Sequence, residues 1–146
     1  RNFDLTMFWQ GVFNIDVENI QKYHTDFWSV RETGSNKGRR LLDAWSPSNP
    51  DSDIPAISAT DTNWENRLST YFIENGSYLK LRTLQLGYTL PKRWAFKVKM
   101  DKFRLYVSGQ NLLTIKSKSF TGIDPENPAF GYPIPMSFTV GANISF

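Results

Sequence analysis

Residues 136–146 read M-S-F-T-V-G-A-N-I-S-F and alternate between apolar residues and polar or small ones along their whole length. The apolar residues occupy every second position: Met136, Phe138, Val140, Ala142, Ile144 and Phe146. This period of two predicts a β-strand with one apolar and one polar face. Such a strand is about 36 Å long at about 3.3 Å per residue. Tilted by about 40° it covers about 27 Å, close to the ~25 Å apolar band of an outer-membrane barrel, whereas strands of soluble proteins commonly have ~5–6 residues.

Three other segments have strand patterns, and together with 136–146 they predict four strands. Residues 2–13 and 102–114 alternate over much of their length. Residues 78–90 read Y-L-K-L-R-T-L-Q-L-G-Y-T-L, and their leucines change phase near Thr83. Either a β-bulge at this point or a change from lipid contact to loop contact would explain the change of phase.

The connections between these strands alternate between short and long. The connection 91–101 is short, whereas 14–76 and 115–135 are far longer than the usual median of about 4–6 residues. Outer-membrane barrels have short periplasmic turns and long extracellular loops. The pattern therefore predicts an all-β, antiparallel transmembrane barrel segment with 14–76 and 115–135 outside the cell. Within the first long connection, residues 15–31 have apolar positions at helical spacing and predict a helix.

Composition excludes several other classes of protein. The 17 basic residues against 14 acidic ones give a net charge of +3, too small to indicate nucleic-acid binding. There is no cysteine and one histidine, His24, so thiol catalysis and histidine-based metal sites are excluded. Because no nucleophile–base constellation is visible, we expect no catalytic, cofactor or metal site and no enzymatic activity. The pair Asp124 and Glu126 offers too few ligands for calcium and favours a turn.

Five blocks of the chain, in this order, resemble blocks of SusC/RagA-type TonB-dependent receptors. They read N-F-D-L-T-M-F-W-Q-G-V-F (2–13), G-S-Y-L-K-L-R-T-L-Q-L-G-Y-T-L-P (76–91), F-R-L-Y-V-S-G-Q-N-L-L-T (103–114), T-G-I-D-P-E (121–126) and G-Y-P-I-P-M-S-F-T-V-G-A-N-I-S-F (131–146). The resemblance implies the last four strands of a larger barrel, of about 22 strands, in the outer membrane of a Gram-negative bacterium. It also implies import of glycans or oligopeptides together with a SusD-like surface lipoprotein. TonB would act through an N-terminal region outside these 146 residues.

The alternative is a soluble β-sandwich that binds carbohydrate, for which the aromatic content of 15% and the prolines are the only support.

The aromatic residues fall into three groups of candidates. The resemblance implies that Phe146 is read by the barrel-assembly machinery, although it also fits a simple lipid anchor. Aromatic residues near strand ends predict an interfacial girdle: Tyr88, Trp94 and Tyr132. Tryptophans of the long connection are candidate contacts for substrate or for the partner lipoprotein, or packing anchors of the loop: Trp28, Trp45 and Trp64.

Alternation also predicts which side chains face lipid and which face the barrel interior. The predicted lipid-facing set is Phe103, Leu105, Val107, Phe138, Val140, Ala142 and Ile144. The predicted interior set is Arg104, Ser108, Gln110, Thr139, Asn143 and Ser145. Glycines inside the strands, at positions 87, 109 and 141, predict bulges or close packing.

Overall fold

A computed structural model describes residues 2–27, 36–58, 64, 67–129 and 131–146. Its strands are β1 (Phe3–Val12), β2 (Asp16–Glu18), β3 (Ile73–Asn75), β4 (Tyr78–Thr89), β5 (Lys102–Lys116) and β6 (Ser137–Ser145). Its helices are α1 (Ile20–Asp26) and α2 (Lys92–Ala95), with short 3₁₀ segments at Arg39–Asp43, Thr70–Phe72 and Phe96–Val98. In the part of the chain described, no helix is long and apolar enough to cross a membrane.

The chain divides into two compact units. The first, called here the sheet unit, consists of Arg1–Phe13, Tyr78–Lys116 and Ile134–Phe146. The second, called here the loop unit, consists of Asn14–Ser77 and Ser117–Pro133.

The sheet unit is one antiparallel sheet of four strands in the order β1-β4-β5-β6. Its four strands correspond to the four predicted segments, with β5 extending two residues past the predicted position 114. Met136 and Phe146 lie just outside β6.

The change of phase in β4 is caused by a bulge, so the first of the two explanations was correct. Phe8 pairs with Thr83 and the next residue, Trp9, pairs with Leu81, which leaves Arg82 as an extra residue on β4. The register between β4 and β5 shifts at the same level, next to Asn111, whose φ is +55°. Because a bulge shifts the alternation by one residue, the leucines before and after Arg82 share one face.

The pairing register gives the sheet an apolar face and a polar face. The apolar face carries Phe3, Leu5, Met7, Trp9, Leu79, Leu81, Leu84, Leu86, Tyr88, Phe103, Leu105, Val107, Leu113, Ile115, Phe138, Val140, Ala142 and Ile144. The polar face carries Asp4, Thr6, Gln10, Thr83, Gln85, Arg104, Ser108, Gln110, Thr139, Asn143 and Ser145, with Phe8 as an apolar exception. The predicted lipid-facing and interior sets therefore lie on opposite faces.

The loop unit has its own small core. The rings of Tyr23, Phe27 and Tyr71 surround Phe72, which is 1% exposed, with centroid distances of 5.3 to 5.5 Å. A two-stranded sheet of β2 and β3 lies in the same unit.

The helix predicted over 15–31 was wrong in its first part. Residues Asp16–Glu18 form a strand that pairs with β3, and the helix begins only at Ile20. Asn19 sets this limit because its side chain accepts a hydrogen bond from the Lys22 N–H, which caps the helix. The helix ends at Asp26, and residues 28–31 lie outside those described.

Candidate functional site

The polar face of the sheet carries a bidentate ion pair between two strands that are not neighbours. Asp4 of β1 accepts hydrogen bonds from Arg104 of β5, at 3.0 Å from Nε and 2.5 Å from Nη2. The pair crosses β4 at Gly87, where a Cβ atom would lie 2.5 Å from Arg104 Nη2 and from Asp4 Oδ1. The absence of a side chain at Gly87 is what allows the ion pair to lie flat on the sheet.

A second glycine in the same row has a similar role. Gly141 of β6 pairs with Tyr106, and a Cβ at Gly141 would lie 2.4 Å from Tyr106 Cζ. The phenol ring therefore lies directly over the glycine backbone, and the Arg104 guanidinium is 5.4 Å from the ring centroid. Close packing, one of the two roles predicted for the strand glycines, is therefore confirmed at Gly87 and Gly141.

The bulge turns a third charged side chain toward the polar face. Arg82 donates from Nε to Gln10 Oε1 at 2.9 Å and from Nη1 to Asn111 Oδ1 at 3.4 Å. Asn111 in turn donates to the Pro135 carbonyl at 3.3 Å. These contacts link β1, β4 and β5 to the segment that precedes β6. The polar face of the sheet therefore presents hydrogen-bonding groups that their neighbours hold in place. A surface of this kind can contact water and polar solutes.

The loop unit contains a buried polar network centred on Glu74. Its carboxylate accepts hydrogen bonds from the side chains of Asn19 (2.8 Å) and Thr121 (2.8 Å), and from the Thr121 backbone N–H (2.8 Å). The Lys22 ammonium lies 3.3 Å away. Burial alone would raise the pKa of Glu74, but these donors and the nearby cation outweigh it and lower the pKa below its usual range.

A second carboxylate, Asp26, extends the network. Its side chain is 1% exposed and accepts from Arg40 Nε at 2.7 Å and from the Tyr71 hydroxyl at 2.6 Å. Burial and this bond to Asp26 raise the pKa of Tyr71 above its usual range. Arg40 also donates to the Thr121 hydroxyl at 2.7 Å, so Thr121 joins the two carboxylate centres.

A cavity of about 470 Å³ lies beside this network. Its lining includes Asn19, Gln21, Lys22, Arg39, Arg40 and Thr121. The volume is in the usual range for small-molecule sites. Lys22 and Arg40, two of the cations in this lining, are already paired with Glu74 and Asp26.

The residues described include no group of three His, Cys, Asp or Glu side chains that could hold a metal ion. Asp124 accepts a hydrogen bond from the Glu126 N–H at 3.0 Å, as expected for a turn.

Sequence comparison identifies relatives over the whole chain, although no family model matches it. TonB-dependent receptors P3 and P26 of Formosa agariphila are 32% and 30% identical to it, and TonB-dependent receptor SusC of Bacteroides thetaiotaomicron is 27% identical. The homologues of this chain are SusC-type TonB-dependent receptors. The chain spans only 14% to 16% of the length of these relatives.

Comparison with solved structures agrees with the sequence comparison. The structure of the RagAB peptide transporter matches 100% of the chain with a TM-score of 0.79 and 26% identity, and the match covers 16% of the transporter chain. The RagAB peptide importer in its "open-open" state matches with a TM-score of 0.78. The four-stranded sheet is thus similar in fold to a segment of a solved transporter structure.

The predicted girdle residues are distributed over both units. Tyr88 lies on the apolar face, and its ring is 4.7 Å from that of Phe3. Trp94 follows β4 in the turn and is 60% exposed, while Tyr132 belongs to the loop unit and is 99% exposed. Phe146 is 83% exposed.

The predicted loop tryptophans do not all fall on described residues. Trp28 lies outside the residues that the structure describes. Trp45 and Trp64 are exposed, and the Arg67 guanidinium stacks 3.9 Å from the Trp64 ring centroid. A role for any of the three in binding remains a prediction.

Sequence reasoning missed the buried network of the loop unit. The partners are far apart in sequence: Asn19 is 55 positions from Glu74 and 102 from Thr121. No local pattern identified these partners, because Asn19 lies inside the segment 15–31 that the sequence predicted as one helix.

Proposed function

We propose that this chain forms part of the barrel and outer loops of an outer-membrane importer that takes up glycans or oligopeptides with TonB-supplied energy. The observation that carries the proposal is the separation of apolar and polar side chains on one sheet, kept in phase through the bulge at Arg82. A sheet with an apolar outer face and a polar inner face is what a water-filled barrel in lipid requires.

The high exposure of the apolar face supports this assignment. Phe138 and Val140 are 72% and 77% exposed, and Phe3 is 69% exposed. Large side chains of this kind, contiguous over four strands, indicate a surface covered by lipid. The polar face, with the Asp4–Arg104 pair, then faces the barrel interior.

The two edges of the sheet indicate that the segment belongs to a larger barrel. Strands β1 and β6 each pair on one side only within the described chain. Unpaired backbone groups in lipid cost several kcal/mol each, so further strands must cover both edges. The lengths of the relatives, of which this chain covers 14% to 16%, leave room for such strands.

The loop unit, in this proposal, is extracellular and contributes to binding substrate or a SusD-like surface lipoprotein. The SusC relative and the match to RagAB support such a partner. The proposal has three further parts. TonB contacts a separate N-terminal region, the barrel-assembly machinery recognises Phe146, and the receptor lies in a Gram-negative outer membrane. The relatives carry the names of receptors rather than enzymes, which favours transport over catalysis.

The β-sandwich alternative lacks its defining feature. A sandwich needs two sheets that face each other across a core. The sheet unit contains one sheet, and both of its faces carry exposed side chains.

The test uses the full-length receptor in its own bacterium. Deleting its gene in frame should abolish uptake of at least one compound from a panel of fluorescent oligosaccharides and oligopeptides. The wild-type gene should restore uptake, and a copy without the TonB-contacting segment should not. A receptor that fractionates away from the outer membrane, or unchanged uptake of the whole panel, would contradict the proposal.

A further inference from the structure

The turn between β4 and β5, residues 91–101, carries a dense positive charge. Its basic residues are Lys92, Arg93, Lys97 and Lys99, and its single acidic residue is Asp101. The net charge of these eleven residues is therefore +3, equal to that of the entire chain. All four basic side chains are exposed and form no ion pair with any residue that the structure describes.

Backbone hydrogen bonds give this turn a defined shape. The Met100 N–H donates to the Ala95 carbonyl at 3.0 Å, and the Asp101 N–H donates to the Ser145 carbonyl at 2.8 Å. Ala95 is 1% exposed, and its helix α2 contacts β5. The charges are thus presented by a folded turn that is attached to both β5 and β6.

Two large aromatic side chains are exposed among these charges. Trp94 is 60% exposed and Phe96 is 61% exposed, on either side of the buried Ala95. The apolar face of the sheet continues to this turn, because Tyr88 and Phe103 are close to its two ends. Aromatic and basic side chains at the end of an apolar band are typical of the headgroup level of a bilayer.

The charge is distributed unevenly between the two units. The sheet unit has 10 basic and 2 acidic residues, whereas the loop unit has 7 basic and 12 acidic residues. The strand ends opposite this turn continue in sequence into the acidic loop unit. The basic excess of the chain therefore lies in the sheet unit, and this turn carries four of its ten basic residues.

We propose that residues 91–101 bind anionic phospholipid headgroups of the membrane leaflet at that end of the barrel. The proposal rests on the proposed function, since it requires the sheet to span the membrane. The phosphate oxygens accept hydrogen bonds from the four basic side chains, while Trp94 and Phe96 lie at the boundary with the acyl chains. An acidic protein segment would satisfy the charges but would leave the two aromatic rings without an apolar environment.

The experiment uses the full-length receptor purified in detergent and titrated separately with phosphatidylglycerol, cardiolipin and phosphatidylethanolamine, with bound lipids counted by native mass spectrometry. The test variant combines Arg93→Gln, Lys97→Gln and Lys99→Gln. The control combines Arg39→Gln, Arg67→Gln and Lys118→Gln, which removes the same charge from exposed positions of the loop unit.

The wild type and the control should bind the two anionic lipids more tightly than phosphatidylethanolamine. Each charge removed from the turn should weaken anionic lipid binding about fivefold, so the test variant should lose the preference. A Trp94→Ala, Phe96→Ala variant should bind all three lipids more weakly while keeping the preference.

Equal anionic lipid binding by the wild type and the test variant, or an equal loss in the control, would overturn the proposal. Substrate uptake is measured separately. A receptor that transports normally but shows no lipid preference refutes this inference alone, whereas a receptor that binds lipid but transports nothing refutes the transport function alone.

Discussion

The sheet unit and the loop unit are built by different kinds of contact. In the sheet unit, each side chain has a place fixed by alternation and by the strand beside it, and apolar side chains remain on the surface. In the loop unit, the buried residues include Asn19, Gln21, Asp26 and Glu74, and they are held by hydrogen bonds between distant segments.

The difference follows from the surroundings that each unit is proposed to have. A sheet in lipid needs no internal apolar core, because the membrane covers its apolar face. A folded loop in water has no such cover and must bury its own core. With few apolar residues available, the loop unit uses charge-assisted hydrogen bonds, which are stronger than neutral ones. The two units should therefore respond differently to the same chemical change.

The largest expected effect comes from placing a charge on the apolar face of the sheet. Val140→Arg should cost about 2–4 kcal/mol and strongly reduce the amount of folded receptor, because arginine is costly at the bilayer midplane. The control is Thr139→Arg, the adjacent residue on the polar face, which is also exposed and should have little effect. The amount of heat-modifiable receptor in purified outer membranes provides the measurement. If Thr139→Arg were the more damaging change, the two faces would be exchanged.

This contrast also explains what the sequence could predict. Alternation is a local signal, so the four strands and their two faces are visible in the sequence, and the bulge at Arg82 appears as a change of phase. The glycines inside the strands could be recognised from the sequence too, because they lie within the same alternating segments. The Asp4–Arg104 pair was not, because the two residues are 100 positions apart and only the strand order brings them together.

The structure of the loop unit could not be predicted from the sequence, for a physical reason. Its apolar residues at helical spacing suggested one long helix, but Asp16–Glu18 use their backbone groups to pair with β3, more than 50 residues away. The polar residues that organise the unit are the same residue types as those of a solvated loop. Their burial depends on partners that no local pattern identifies.

The second expected effect is confined to the loop unit. Asp26→Asn removes the charge that neutralises Arg40 and should cost about 2 kcal/mol, less than a fully buried pair because Arg40 is 25% exposed. Hydrogen exchange of α1 and of residues 117–123 should become about 30-fold faster, while exchange in β4 and β5 should not change. The control is Asp51→Asn, an exposed turn residue. Faster exchange throughout the sheet would show that the two units are not independent.

The smallest effect is a pH dependence of the loop unit. The pKa of Glu74 is lowered in the folded state, so the unfolded loop binds more protons than the folded one between the two pKa values. The stabilisation is fully present above the ordinary carboxyl pKa, about 4.3, and is lost as the pH falls through the lower folded-state value. The effect is small because burial opposes the donors that lower the pKa.

The Thr121 N–H reports this change directly, because it donates to the Glu74 carboxylate. Its hydrogen-exchange protection, corrected for the intrinsic pH dependence of exchange, should fall between pH 6 and pH 3 in the wild-type receptor. The same protection in Glu74→Gln should be lower at pH 6 and should depend less on pH, since an amide does not titrate. Parallel profiles in the two proteins would mean that another group controls the acid sensitivity of the loop unit.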